Sequence, residues 1–213
     1  MRTLKGIIFD LDGVIVSTDH YHYLGWKRVA DEAGIYFDES INNRLRGVSR
    51  MESLEIMLER YDGTMTEREK LAMTERKNGY YRELLSTMTP GDLSQEVKSA
   101  LEILRERGYK LAIGSSSRNA GFILERIGLK DSFDALSDGN NISRSKPDPE
   151  VFLKAAEMLG EAPAELLVVE DAVAGIEAAK AGGFHSAAIG DAAKAGTGEY
   201  RLETFGDILQ ICN

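Results

Sequence analysis

The sequence predicts an α/β protein with a doubly wound, mainly parallel, Rossmann-like sheet and a small inserted domain of helices. Three observations predict this fold: short apolar runs that end in polar residues, helical segments between those runs, and a long stretch without any strand-like segment. Strands that alternate with helices imply right-handed crossovers and therefore a parallel sheet. The predicted boundaries assign residues 1–16 and 90–213 to the α/β domain and residues 17–89 to the helical domain.

The first predicted strand leads into an acidic turn. Leu4 and the run Ile7-Ile8-Phe9 are too short for a helix and too continuous for a half-exposed strand, which is typical of a central parallel strand. Asp10 and Asp12 follow at the edge where open α/β sheets bind ligands. Gly13 allows a close approach of the backbone or a positive φ. An ordinary Asx-type turn explains the same residues, so D-x-D-G alone does not establish a catalytic site.

The inserted segment is predicted to be helical throughout. Apolar residues from Tyr23 to Ala33 recur with helical spacing, and residues 38–46 form a weak short helix. Two S/T-x-x-E capping boxes, at Ser49–Glu52 and Thr66–Glu69, begin two further helices, of which the second extends to about residue 85.

From Ser94 onward, predicted helices and strands alternate. The predicted helices cover residues 94–107, 119–127, 149–159, 174–181 and 204–211. The predicted strands cover residues 109–113, 133–136, 166–169 and 185–189. Asp148 and Pro149 are predicted to be the N-cap and the first residue of the third helix.

Composition excludes several functions. Of the 213 residues, 43% are hydrophobic and 29% are charged, which is typical of a soluble globular protein. The net charge of −9 argues against a nucleic-acid partner, because a phosphate backbone requires a basic face. No apolar run approaches the ~18 residues of a membrane span, so no membrane association is expected. The single cysteine, Cys212, indicates a reducing, cytoplasmic setting. A monomer is the simplest expectation.

Polar side chains follow three of the predicted strands. They are Asp10 and Asp12, Ser115 and Ser117, and Glu170 and Asp171. Parallel strands bring these ends to one edge, and carboxylate and carbonyl oxygens are ligands that allow Mg²⁺ to bridge them to a phosphate. The Ser115 hydroxyl, nearby backbone N–H groups and Lys146 would supply further phosphate contacts. The sequence therefore predicts a phosphoryl-transfer site.

Each of these groups also has a simpler structural explanation. The serines at 115–117 would cap the next helix, and Lys146 would be a solvated loop lysine. Glu170 and Asp171 would be an acidic pair that stabilises a helix start. The joint order of all these groups after the first aspartates is what favours catalysis.

Four motifs follow one another in the sequence: D-x-D-G, a strand-terminal serine, a lysine before proline, and an E-D pair. In this order they resemble the motifs of the haloacid dehalogenase superfamily, and the resemblance covers the whole chain. The resemblance implies that the inserted helices are a cap domain. Within the superfamily, the β-phosphoglucomutase family is the closest likeness. The matching stretches are Phe9–Ile15, Tyr21–His22, Trp26–Lys27, Gly47–Arg50, Ser53–Leu54, Arg76–Asn78, Ser115–Asn119, Lys146–Pro149, Glu170–Asp171 and Ala174–Ile176.

The resemblance implies a phosphosugar mutase that interconverts β-glucose 1-phosphate and glucose 6-phosphate. The implied route passes through an aspartyl phosphate and a β-glucose 1,6-bisphosphate intermediate, with a small phosphorylated sugar as partner and one Mg²⁺ per chain. The alternatives are a Mg²⁺-dependent phosphatase of small sugar phosphates with the same fold and a non-catalytic binding module.

The resemblance also implies a role for each site residue. Asp10 would be the nucleophile and Asp12 the general acid/base. The implied phosphate-binding residues are Ser115, Ser116 and Lys146. The implied substrate-binding residues are Thr18, His22, Gly47, Arg50, Ser53, Lys77, Ser117, Arg118 and Asn119. The implied metal ligands are Asp10, Asp12 through its carbonyl, Glu170 and Asp171.

Two cap features bear on the choice between mutase and phosphatase. Arg50 is the candidate grip for the distal phosphate, because its planar fork can bind phosphate through two hydrogen bonds. Ser17 departs from the family pattern, which has an acidic residue directly before the hinge residue Thr18. This departure bears on cap movement and on the exact sugar rather than on the chemistry.

Overall fold

A computed structural model describes residues 4–45 and 48–213. The chain divides into two compact units, an α/β unit of Met1–Ser17 with Thr89–Asn213 and a helical unit of Thr18–Met88. Gly47, one of the candidate substrate-binding residues, lies outside the described residues.

The described elements follow one another in a regular order along the chain. The strands are β1 (Gly6–Phe9), β2 (Lys110–Gly114), β3 (Ala135–Ser137), β4 (Leu166–Glu170), β5 (His185–Ala188) and β6 (Tyr200–Arg201). The helices are α1 (Asp19–Glu32), α2 (Glu39–Asn43), α3 (Arg50–Leu58), α4 (Glu67–Leu85), α5 (Gln95–Glu106), α6 (Ala120–Arg126), α7 (Glu150–Leu159), α8 (Val173–Ala181), α9 (Gly190–Lys194) and α10 (Ile208–Ile211). Short 3-10 turns cover Pro90–Asp92, Pro163–Glu165 and Phe205–Asp207.

The sheet confirms the predicted doubly wound, parallel α/β fold. Its order is β3-β2-β1-β4-β5-β6, and every pair of neighbours is parallel. In the register, Phe9 lies opposite Ile113 of β2 and Val169 of β4. The residues that follow these three positions therefore emerge at the same level of the carboxyl edge.

The apolar residues of β1 are buried on both faces of the sheet. Successive side chains of a strand point to opposite faces. Ile8 packs in a cluster with Phe152 of α7 and Ala178 of α8, whereas the ring of Phe9 stacks on that of Phe205 at 5.6 Å. This two-sided burial explains why the run is continuously apolar.

The helical unit is built from α1–α4, and its core contains Trp26, Leu54 and Met73. The predicted capping box at the start of α4 forms completely, because the Thr66 side chain accepts from Glu69 N–H and the Glu69 side chain accepts from Thr66 N–H. At the start of α3, Ser49 Oγ accepts from Glu52 N–H at 3.2 Å. Among the residues described, no helix combines the length and the apolar character needed to cross a membrane.

Several element boundaries differ from the prediction. β3 begins at Ala135 rather than at 133. Asp134 N–H donates to Leu111 O at 2.7 Å, and Leu111 N–H donates to the side-chain Oδ2 of Asp134 at 2.8 Å. α7 begins at Glu150, one residue later than predicted, and Asp148 Oδ1 accepts from Glu150 N–H at 3.0 Å.

The C-terminal region contains elements that the sequence pattern does not predict. They are the five-residue helix α9 and the two-residue strand β6, both too short to produce a periodic signal. The predicted helix over 204–211 consists of the 3-10 turn Phe205–Asp207 followed by α10.

Replacing Ile8 with alanine should lower the free energy of unfolding by about 2–5 kcal/mol, because it leaves a cavity in the centre of the sheet. Denaturant-induced unfolding would measure the loss. Met158→Ala is the matched control, since Met158 is 55% exposed on α7 and its truncation should cost less than about 0.5 kcal/mol. Equal losses in the two variants would contradict the central position of β1.

Candidate active site

Three charged side chains meet below the carboxyl edge of the sheet. Lys146 Nζ donates to Asp10 Oδ1 at 2.5 Å and also to Glu170 Oε1. All three residues are less than 10% exposed. Buried charges are stable only when they are paired and hydrogen-bonded, so Asp10 and Glu170 both depend on Lys146, and Lys146 depends on them.

The sheet fixes the two acids of this cluster. Asp10 continues from β1, with its N–H donating to Val169 O of β4 at 2.9 Å. Glu170 is the last residue of β4, and its Oε2 accepts from Ala172 N–H at 3.0 Å. A Cβ on Gly175 would lie 2.0 Å from Glu170 Cδ, so only glycine leaves room for this carboxylate.

Lys146 reaches the cluster from the loop before α7. Its Nζ lies 4.8 Å from the centroid of the Phe152 ring, which adds a cation–π contact. The peptide bond between Lys146 and Pro147 is cis. In the sequence, Lys146 lies between the serines at 115–117 and the acidic pair Glu170-Asp171. In the structure, it contacts Asp10 and Glu170 directly.

Asp12 and Gly13 lie on a compact turn that follows β1. Gly13 N–H donates to Val16 O at 2.9 Å, and Asp12 and Val16 form an isolated β-bridge. Gly13 has a φ of +85°, and a Cβ there would lie 2.2 Å from Asp171 Oδ2. Gly13 therefore serves both purposes considered from the sequence, a positive φ and a close approach.

Burial and neighbouring carboxylates raise the pKa of two acids at this edge. Burial raises the pKa of Asp10 to about 7, with Glu170 and Asp12 adding to the shift and Lys146 opposing it. Burial also raises the pKa of Asp171 to about 8, and the nearby charges of Asp10, Glu170 and Asp12 raise it further. For Lys146, burial opposes the charge, but Asp10 and Glu170 outweigh that effect and raise its pKa.

The donor set at this edge fits a magnesium ion. In residues 4–45 and 48–213, no group of three His, Cys, Asp or Glu side chains is arranged to hold a metal. Two carboxylates, Asp10 and Asp171, and the Asp12 carbonyl suit Mg²⁺, which keeps several water ligands. Burial and nearby negative charge raise the pKa values of Asp10 and Asp171, and a cation would offset both effects. The missing Cβ of Gly13 makes room for the Asp171 carboxylate.

The serine loop 115–119 lies at the end of β2, beside β1. Ser115 is buried, and its Oγ accepts from Ser117 N–H at 3.2 Å. Ser117 Oγ in turn accepts from Asn119 N–H at 3.2 Å, at the start of α6. Among the residues described, Ser116 Oγ is the buried side-chain oxygen that has no hydrogen-bond partner. Arg118 is exposed, and its Nε donates to Gly139 O at 3.1 Å.

The helical unit gathers a second group of candidate residues on α1 and α4. Lys77 Nζ lies 2.8 Å from His22 Nδ1 and 4.4 Å from the centroid of the Tyr81 ring. The hydroxyls of Thr18 and Tyr81 are 2.9 Å apart. Burial lowers the pKa of His22 well below its usual value, and the charges of Lys77 and Arg50 lower it further.

Two candidate residues lie on α3 of the helical unit. Arg50 Nη2 donates to Asn78 Oδ1 of α4 at 2.9 Å. Ser53 is buried, and its hydroxyl donates to Ser49 O within the first turn of the helix at 3.0 Å.

The structure adds residues that sequence reasoning missed. Tyr81 joins Thr18, His22 and Lys77, and its position four residues after Lys77 on a predicted helix is a signal that could have found it. The segment Ser137–Asn141 contacts the serine loop, and the only available signal was its place after a predicted strand.

The fold and the charged edge define a class of protein: a doubly wound α/β enzyme whose reactive groups lie at the carboxyl ends of parallel strands. A family model of haloacid dehalogenase-like hydrolases matches residues 4–183. The chain therefore belongs to the haloacid dehalogenase-like family of enzymes, as the order of its motifs predicts.

Known relatives include both mutases and phosphatases. The chain is 43% identical over 190 residues to a β-phosphoglucomutase of Bacillus subtilis, covering 88% of this chain and 84% of the relative. It is 34% identical over 184 residues to a phosphorylated carbohydrates phosphatase of Thermotoga maritima, covering 85% and 82%. The crystal structure of β-phosphoglucomutase from Clostridium difficile matches with a TM-score of 0.90 at 33% identity, covering 99% of this chain and 97% of that one.

Without divalent cations, Asp171→Asn should stabilise the folded protein at alkaline pH. Because the folded state raises the pKa of Asp171 to about 8, stability is present at low pH and is lost as the pH rises through that value. Asparagine removes the charge, so the gain should be on the order of 1 kcal/mol at about pH 9 and should fade towards about pH 4. Denaturant unfolding in a chelator would measure it.

Asp131→Asn is the control for this experiment, because Asp131 is an exposed carboxylate of the same unit. Its effect should not depend on pH in this way. If Asp171→Asn were equally destabilising at both pH values, the charge crowding inferred for this edge would be wrong.

Proposed function

We propose that this enzyme is a phosphosugar mutase that interconverts β-glucose 1-phosphate and glucose 6-phosphate. Phosphoryl transfer is supported by one contact above all, the buried lysine that joins Asp10 to Glu170 beside the serine loop. The mutase assignment is supported by the relative that is 43% identical over 88% of this chain. We likewise propose that residues Thr18–Met88 act as a cap on the α/β unit.

The proposed chemistry uses Asp10 and Asp12 in two half-reactions. The Asp10 carboxylate attacks phosphorus, the ester P–O bond breaks, and the leaving sugar oxygen takes a proton from Asp12. In the second half-reaction a sugar hydroxyl gives its proton to Asp12 and attacks the aspartyl phosphate, which regenerates the Asp10 carboxylate. The species between the two steps is the aspartyl phosphate. Its transfer to the 6-hydroxyl of β-glucose 1-phosphate gives β-glucose 1,6-bisphosphate, and attack of Asp10 on the 1-phosphate of this bisphosphate releases glucose 6-phosphate and restores the aspartyl phosphate.

The surrounding residues prepare Asp10 for this role. Lys146 stabilises the ionised form of Asp10, whose pKa burial would otherwise raise further. Glu170, with both oxygens hydrogen-bonded, fits a role as partner of Lys146 better than a direct place on the metal. Asp10, Asp171 and the Asp12 carbonyl would hold Mg²⁺, which would supply positive charge to the transferring phosphoryl group. Ser115 and Ser116 would bind the same phosphoryl oxygens.

The helical unit would select the sugar and hold the distal phosphate. Arg50 presents a guanidinium whose planar fork suits a phosphate, and Asn78 orients it through a hydrogen bond. Lys77 and His22 form a fixed pair of polar groups for sugar oxygens. The further substrate contacts proposed are Thr18, Gly47, Ser53, Ser117, Arg118 and Asn119.

A Mg²⁺-dependent phosphatase of small sugar phosphates is the second candidate. The observation that favours it is the phosphorylated carbohydrates phosphatase that is 34% identical over 85% of this chain. Both reactions begin with the same attack by Asp10, and they differ in whether a sugar hydroxyl or water receives the phosphoryl group.

Product analysis separates the two functions. With Mg²⁺, β-glucose 1-phosphate and a trace of glucose 1,6-bisphosphate, the enzyme should form glucose 6-phosphate in large excess over free phosphate. Asp10→Asn should lower the formation of both products about a thousandfold or more, because it removes the nucleophile. Rapid release of phosphate with little glucose 6-phosphate would replace the mutase with the phosphatase.

Arg50→Ala should lower mutase kcat/KM about ten- to a hundredfold, because the distal phosphate loses charged hydrogen bonds. Slow hydrolysis of a substrate with a single phosphate should fall much less. Arg44→Ala is the matched control, since Arg44 is an exposed arginine of the same unit and pairs with Glu59 at 2.6 Å. Equal losses of mutase and hydrolase activity in Arg50→Ala would show that Arg50 does not grip the distal phosphate.

A further inference from the structure

The segment Ser137–Asn141, which we call the clamp loop, runs alongside the serine loop 115–119. Three of the hydrogen bonds that join the two loops run from Ser115 N–H to Ser137 O at 3.0 Å, from Gly139 N–H to Ser117 O at 3.2 Å, and from Arg118 Nε to Gly139 O at 3.1 Å. The backbone of the serine loop is therefore held along its length by a segment that follows the neighbouring strand β3.

Gly139 is where the two loops approach most closely. It is buried, and a Cβ at this position would lie 2.5 Å from Ser116 O and 3.0 Å from Arg118 N. Gly139 is not among the glycines with a positive φ, so its backbone conformation is open to other residues. The contact with Ser116 and Arg118 is therefore the constraint that demands glycine.

Side chains of the clamp loop hold Gly139 in this position. The buried carboxylate of Asp138 accepts from Asn140 N–H at 2.9 Å and from Asn140 Nδ2 at 3.0 Å. Asn140 Nδ2 also donates to Arg118 O at 3.0 Å, and Asn141 Oδ1 accepts from Asp138 N–H at 3.1 Å. Hydrogen bonds thus stabilise the clamp loop on both sides of Gly139, and the bond from Asn140 Nδ2 to Arg118 O links it to the serine loop.

We propose that Gly139 is a positioning residue of the phosphate site, an inference that rests on the proposed phosphoryl-transfer function. The Ser116 carbonyl and the Ser117 N–H belong to one planar peptide group, so a side chain that pushes this carbonyl rotates that N–H as well. The same displacement moves the Ser116 hydroxyl, which is buried without a protein partner. Gly139 acts on phosphate through the serine loop and does not touch it.

Gly139→Ala compared with Gly121→Ala tests the proposal. Gly121 lies on α6, just after the serine loop, and a Cβ there would make an ordinary contact of 3.6 Å with Leu136. The two variants therefore add the same methyl group, but only one of them presses on the serine loop. Binding of inorganic phosphate in the presence of Mg²⁺ should be measured by calorimetry, together with kcat, KM and thermal unfolding.

In Gly139→Ala, phosphate binding should weaken by about tenfold and kcat/KM for the sugar phosphate should fall by about a hundredfold, as expected for a misplaced binding group. Gly121→Ala should match the wild type in phosphate affinity. A purely structural role of Gly139 would lower the unfolding temperature and leave the phosphate affinity of the folded protein unchanged, and that result would overturn the proposal. Absence of phosphate binding by the wild type would overturn it too.

Asn140→Asp decides the question if Gly139→Ala does not fold. Asn140 is exposed, and the exchange replaces a donor to Arg118 O with a carboxylate that faces this carbonyl and Asp138. Phosphate binding weaker than that of the wild type supports the proposal, and unchanged binding overturns it. If the wild type binds phosphate but converts neither β-glucose 1-phosphate nor glucose 6-phosphate, the proposed function is wrong. The positioning role of Gly139 in phosphate binding would still hold.

Discussion

The contact of Lys146 with Asp10 and Glu170 is the constraint on which the rest of the α/β unit depends. Three charged groups at less than 10% exposure are tolerated only because each is paired, and the pairing requires adjacent strands to end at the same level. The parallel register of β1 and β4 provides this alignment. Gly175 must lack a side chain to admit the Glu170 carboxylate, so the cluster also determines which residue can occupy this position on α8.

This cluster is not electrically balanced, and the imbalance connects stability with function. The charges of Asp10, Asp12, Glu170 and Asp171 act on one another, and the Lys146 ammonium pairs with only two of these acids, Asp10 and Glu170. Burial and mutual repulsion raise the pKa of Asp10 to about 7 and that of Asp171 to about 8. A fold selected for stability alone would not assemble such a group. The same excess of negative charge would attract a hard cation, and a bound cation would allow a protein with a net charge of −9 to bind an anionic phosphate at this acidic edge, as the proposed function requires.

The sequence was sufficient for the parts of the fold that follow from periodicity and from strand ends. The continuous apolar run Ile7–Phe9 predicted a central strand, and the parallel arrangement then predicted that Asp10 and Glu170 would lie at one edge of the sheet. The sequence pattern does not predict contacts between segments that are distant along the chain. At the start of β3, Leu111 N–H bonds to the Asp134 side chain, a contact that the sequence pattern does not predict. The clamp loop resembles any polar turn until its partner, the serine loop, is known. Periodicity identifies the buried face of a helix but not the element that packs against it. The contacts of Tyr81 with Thr18 and His22 were therefore not predicted.

Under the proposed function, the α/β unit carries the chemistry and the helical unit selects the substrate. Under the proposed function, transfer to sugar and transfer to water both begin with attack by Asp10, so the α/β unit alone does not decide between them. A mutase must favour a sugar hydroxyl over water, which requires groups that recognise the sugar.

His22 is suited to this task for a specific reason. Lys77 has only N–H donors, so His22 Nδ1 accepts its hydrogen bond, and the neutral ring that the lowered pKa favours carries its proton on Nε2. His22 is thereby fixed as a donor, and Tyr81, which packs on its ring at 4.1 Å, holds it in place. A fixed donor discriminates between hydroxyl groups by their position, which a mobile side chain on a solvated helix cannot do.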